Sequence, residues 1–173
     1  MKSILNKPIF IIGLHRTGST FLKNILNNSL EVAMATDEMD ISNPWKRTFE
    51  NQFKKLKTNS ENQLPFRVID LIYKKNIYGT FWFDYRKLNI PPKIIYQKFC
   101  ESNRTLQDLT SIMLEEYREL EQKKRVGVKY PLHFSRSYLL KDWFPDSKLI
   151  FLYRDARAIC ASKLNGCGSF TND

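Results

Sequence analysis

The sequence predicts an α/β fold, a central parallel sheet flanked by helices. Three observations carry that expectation. The chain opens with a short apolar run that ends in glycine and passes into a helical pattern. Its C-terminal part alternates short apolar runs with helical stretches, the order that builds parallel sheets. Its 173 residues, 42% of them apolar and 27% charged, suffice for a single domain over 1–173 with a sizeable core.

The elements follow in chain order. KPIFIIG (7–13) reads as a buried parallel strand, short, β-branched and ended by Gly13. GLHRTGST is a loop. From Ser19 to Asn28, Phe21, Leu22, Ile25 and Leu26 recur at helical spacing. The middle is more helical and more charged: NPWKRTFENQFKKLK and LPFRVIDLIYKKNIYG both look amphipathic. Pro91 and Pro92 open a short helix through Phe99, with proline in the first turn. The strongest helix starts after Thr105, with Leu106, Leu109, Ile112, Met113, Tyr117 and Leu120 as its apolar stripe. Thr105 followed by Asp108 resembles a capping box. RVGVKYP is a strand stopped by Pro131, and SRSYLLKDWF a helix stopped before Pro145. SKLIFLYRD is a strand, and ARAICASKLNG a helix ended by Gly166. The middle helices read as an insertion between the first strand and the later ones.

A formal net charge of +10 and a pI near 9.5 favour anionic partners. Nucleic acid, a phosphorylated small molecule and an acidic glycan all qualify. A nucleic-acid module needs a basic helix or an aromatic-basic platform, and the lysines here are scattered, so no nucleic-acid partner is expected. Cys100, Cys160 and Cys167 are odd in number and lack CxxC spacing, which suggests reduced, mostly packed thiols and no metal site. The N-terminal apolar run is interrupted by Gly13, His15 and Arg16. It is too short for a transmembrane helix and poor as a signal peptide, so a cytoplasmic protein with no transmembrane segment is expected.

GLHRTGST carries the chemistry. The dinucleotide pattern G-x-G-x-x-G fails because residue 15 is His. The triphosphate pattern G-x-x-x-x-G-K-[ST] is met at Gly13 and Gly18, but Ser19 stands where the lysine should be. That lysine reaches the β- and γ-phosphates, so its absence argues against kinase or hydrolase chemistry. The rest of the loop still suits an anion. Backbone N–H groups around Gly18 can form a nest, and the next helix presents its N-terminus. Thr17, Ser19 and Thr20 add hydroxyls, and Arg16 adds a guanidinium.

PIFIIGLHRTGSTFLKNIL resembles the 5′-phosphosulfate loop of the sulfotransferases, P-loop-like three-layer α/β enzymes that use 3′-phosphoadenylyl sulfate (PAPS) and release adenosine 3′,5′-bisphosphate. The resemblance implies that Arg16, Thr17, Gly18, Ser19 and Thr20 hold the 5′-phosphosulfate. Such a donor has no β- or γ-phosphate, so the missing lysine is not required. LIFLYRDARAICASKLN resembles the family's 3′-phosphate segment, which implies that Arg154 and Ser162 read that phosphate. An arginine at a strand's carboxyl end sits where open α/β sheets bind ligands, and its fork suits phosphate. GVKYPLHF matches the family's Lys and Pro after the preceding strand. Lys129, with Pro131, would neutralise charge on the transferred group.

The reaction this implies is sulfuryl transfer to a hydroxyl or amine of a small-molecule or glycan acceptor, without a metal. It needs a base for the acceptor proton. In the branch this chain most resembles, the base is an acid after the first helix, and SLEVAMATDEMD offers Asp37 and Glu38. Gapless counting lands on Asp37, and the branch's usual Glu favours Glu38. The histidine position of the cytosolic branch falls on Pro131; His133 is a weaker candidate, and His15 reads as a loop-shaping or packing residue. Trp45, Arg47, Phe81, Trp82, Phe83, Tyr85 and Arg86 are candidate acceptor contacts or core. The resemblance covers about residues 7–38 and 126–165. The family usually continues past the 3′-phosphate helix, so an incomplete domain of doubtful activity is expected. The rivals are a degenerate P-loop kinase and an inactive nucleotide-binding fragment.

Overall fold

The structure is a computed structural model. It describes residues 7–35, 49–59, 61–73, 90–129 and 131–166. Four strands form one parallel sheet: β1 (Ile9–Gly13), β2 (Val32–Met34), β3 (Arg125–Lys129) and β4 (Lys148–Leu152), in the spatial order β2-β3-β1-β4. Among the described residues, seven α-helices accompany them. These are α1 (Ser19–Asn27), α2 (Phe49–Asn59), α3 (Leu64–Tyr73), α4 (Pro92–Cys100), α5 (Leu106–Leu120), α6 (Ser137–Trp143) and α7 (Ala156–Gly166). A 3-10 helix, Pro131–Arg136, leads into α6.

The α/β class expected from the sequence is the one observed. Period-two alternation divides the core between the two faces of the sheet. Phe10, Ile12, Ala33, Val126 and Val128 belong to the larger cluster, with side chains from α2 to α6. Ile9, Ile11, Val32 and Met34 belong to the other, where Leu22 and Leu26 of α1 pack on them. Helices therefore lie on both faces. Phe10 meets Phe144, just past α6, at a ring separation of 5.6 Å.

Strand β2 is the element that the sequence reading lacks. Three residues are too few to display a period. Among the described residues β2 is an edge strand and pairs with β3 alone. The Met34 N–H instead donates to the Asn27 side-chain oxygen at 2.9 Å, and its carbonyl accepts from the Tyr117 hydroxyl at 3.1 Å. Two side chains from opposite layers thus occupy an edge that would otherwise be open for pairing. Burial, and secondarily the Glu121 charge, pushes the Tyr117 phenol up to about 12, so this donor keeps its proton at any physiological pH.

Candidate active site

The strand order sets the site. From β1 the chain moves outward to β2, returns at β3 between them, and crosses to β4 on the other flank of β1. Such a reversal opens a crevice at the carboxyl ends of the strands. Here the ends of β1, β3 and β4 share a cavity of about 360 Å³, lined by His15, Arg16, Gly18, Ser19, Thr20, Lys129, Arg154 and Ser162.

The loop after β1 is shaped by two glycines for different reasons. Gly13 has φ +143°, and a Cβ there would stand 2.5 Å from the Leu152 carbonyl of β4. Gly18 has φ +94° and open space around it, so its requirement is conformational alone. Gly18 is the N-cap of α1, and no side chain caps that helix. No acidic residue stands in its first turn, which leaves the positive end of the helix facing the cavity. Arg16 is also in the left-handed region, at φ 68°. The Thr17 hydroxyl donates to the Leu14 carbonyl at 2.8 Å and does not line the cavity. Ser19 and Thr20 do line it.

Arg16 joins the loop to the opposite wall. Its Nε donates to Ser162 Oγ at 3.0 Å and its Nη2 to the Ser162 carbonyl at 3.2 Å. Its own carbonyl accepts from Arg154 Nη1 at 3.1 Å. Both residues of the C-terminal motif are therefore tied to a single residue of the N-terminal one. Asp155 does not pair with Arg154. It accepts from the Arg157 backbone N–H at 2.8 Å and from the Arg157 guanidinium at 2.8 and 3.1 Å. The guanidinium, and then the backbone N–H, holds the Asp155 carboxyl below its usual range. Arg154 thus keeps its charge for the crevice. Lys129 ends β3, an interior strand of the sheet, rather than an edge strand.

Other residues singled out by sequence fall elsewhere. Asp37 and Glu38, and Trp45, Arg47, Phe81, Trp82, Phe83, Tyr85 and Arg86, lie outside the described residues. His133 belongs to the 3-10 helix, and its side chain is likewise not described. His15, read from sequence as a loop-shaping or packing residue, is exposed on the crevice wall. Its place between the two glycines was the available signal. Cys160 is exposed and Cys100 half-buried, so neither is a core thiol. Among the described residues no helix is long and apolar enough to cross a membrane, and no cluster of potential metal ligands occurs.

Loop, strand ends and helix together surround a cation-lined crevice on a parallel α/β fold. The family model described as the sulfotransferase family matches residues 8–172. The chain belongs to the sulfotransferase family. Among solved structures, sulfotransferase STF9 from Mycobacterium avium is similar at 15% identity and a TM-score of 0.41, over 93% of this chain. The chain spans 46% of the length of that structure. No curated protein matches.

Proposed function

We propose that the chain binds 3′-phosphoadenylyl sulfate in this crevice and transfers its sulfuryl group to a hydroxyl or amine of an acceptor, such as a carbohydrate. The supporting observation is the meeting of the two motifs: Arg16 hydrogen-bonds both to Arg154 and to Ser162 beside a cavity rimmed with cations. In this reading the α1 N-terminus, Gly18, Ser19 and Thr20 hold the 5′-phosphosulfate. Arg154 and Ser162 hold the 3′-phosphate. Thr17 braces the loop.

The reaction is a displacement at sulfur. The acceptor oxygen or nitrogen forms a bond to sulfur as the bond from sulfur to the 5′-phosphate oxygen breaks. Adenosine 3′,5′-bisphosphate leaves, and the acceptor proton passes to a base, with Glu38 or its neighbour Asp37 in that role. Lys129 and Arg16 stabilise the charge gathering on the leaving oxygen. Cations fixed in place before reaction are the main source of catalysis in such transfers.

Ligand choice tests the reading. Adenosine 3′,5′-bisphosphate should bind more tightly than AMP, ATP or an oligonucleotide, and Arg154→Ala should erase the preference for the 3′-phosphate. Stronger binding of ATP would favour a degenerate kinase, and stronger binding of the oligonucleotide a nucleic-acid module. Equal binding of all four would refute the assignment.

A further inference from the structure

His15 has no role in the donor reading. Its side chain is exposed on the crevice wall between the two glycines of the loop. It makes no hydrogen bond or ion pair with any described residue. The charged groups facing the same cavity are Arg16 from the loop, Lys129 from β3 and Arg154 beyond β4. No carboxylate lines it among the described residues, and Asp155 is engaged by Arg157.

Among the described residues the wall thus holds three cations and one imidazole. Imidazole is the side chain whose ordinary titration falls between about pH 5 and 8. A polyanion seated among Arg16, Lys129 and Arg154 brings negative charge beside the ring, and nearby opposite charge favours its protonated form. We propose that His15 belongs to the donor site and takes up a proton from solvent as the nucleotide binds. The resulting imidazolium donates to the 5′-phosphosulfate, or to the 5′-phosphate of the product. The ring has no partner among the described residues to break in doing so. The contribution of His15 to donor affinity is therefore largest on the acid side of neutrality. The inference rests on the nucleotide reading above.

Calorimetric titration of the full chain with adenosine 3′,5′-bisphosphate, in buffers of different ionisation enthalpy, counts the protons taken up. The unmutated chain should take up a larger fraction of a proton than His15→Gln. The bisphosphate titrates too, so the informative quantity is the ratio of the two Kd values across pH. A charged hydrogen bond from the imidazolium makes that ratio about tenfold near pH 6, falling towards one near pH 8.5. His15→Arg, with a fixed charge, should bind tightly throughout and lose the proton uptake; a merely structural histidine would not be rescued in this way. Should His15→Gln fail to fold, the proton count of the unmutated chain against His15→Arg decides the matter. Binding with equal proton uptake in all the proteins overturns the role of His15 and leaves the nucleotide reading standing. No binding by any of them at either pH overturns both.

Discussion

Helix α5 buries Leu109, Thr110, Met113, Leu114, Glu116 and Tyr117, and the Thr105–Asp108 capping box closes its first turn. Helix α7 buries Ile159 alone among its described side chains, and Leu164 is 82% exposed. The first helix is held by the core. The second is held by Ile159 and by polar contacts at the crevice, chiefly the bonds from Arg16 to Ser162. The two are built from similar helix-forming residues, so propensity does not explain the difference. What separates them is which neighbours they have. A helix fixed by the same groups that are proposed to hold the ligand is one whose position the ligand can reinforce.

Core truncation should separate the two helices most sharply. Met113→Ala removes a fully buried side chain and should cost about 2–5 kcal/mol, whereas Leu164→Ala on the exposed face of α7 should stay within about 0.5 kcal/mol. Urea denaturation of both variants reads the contrast directly. Comparable losses would mean that α7 is as deeply packed as α5, and the comparison would fail.

The next effect concerns the clasp. Arg16→Ala removes both bonds to Ser162 along with a charged donor group. Nucleotide affinity should fall about tenfold or more, since a hydrogen bond to a charged group is worth about 1.5–3 kcal/mol. Global stability should change little, because Arg16 is exposed. Amide exchange should quicken in α7 and stay unaltered in α5. Unchanged affinity together with unchanged exchange would remove Arg16 from both roles.

The same contrast explains what was legible in the sequence. The loop was readable because its chemistry is local: Gly13, Gly18, the hydroxyls and Arg16 lie within a few residues. Helix α5 was readable from its stripe and its cap, although Leu114 was missed and Leu120 proved half exposed. Helix α1 shows the limit of periodicity. Its four apolar residues fit one pattern, yet Leu22 and Leu26 face the sheet while Phe21 and Ile25 are exposed. Strand β2 was hidden because its three residues in SLEVAMATDEMD pair with β3, far along the chain, and the Met34 backbone takes its outer partners from Asn27 and Tyr117. The two motifs of the crevice were each visible, but Arg16 and Ser162 are 146 positions apart. Their direct bond depends on β4 lying beside β1, an order that no local pattern encodes.

The smallest expected effect lies at the start of α7, where the cap is ionic. Asp155 accepts from the Arg157 guanidinium and backbone N–H, and these bonds hold its carboxyl below the ordinary range, the guanidinium contributing most. A carboxyl whose folded value is depressed stabilises the fold above its unfolded value, about 3.9 for aspartate. That contribution is lost as pH falls through the lower folded value. The cap should therefore be intact at neutral and mildly acidic pH and should fade only below about pH 4. Asp155 is exposed, so the change should be confined to the first turn of α7 and leave α5 helical. The Arg157 amide resonance, followed by NMR during an acid titration, should give a midpoint below that of an ordinary aspartate. Arg157→Ala, read at the Ala158 amide, should move the midpoint upward, because it removes the largest cause of the depression. A midpoint at or above the ordinary value in the unmutated chain would show that solvent screens the pair. In that case α7 would owe its position to Ile159 and the Arg16 clasp without help from its cap.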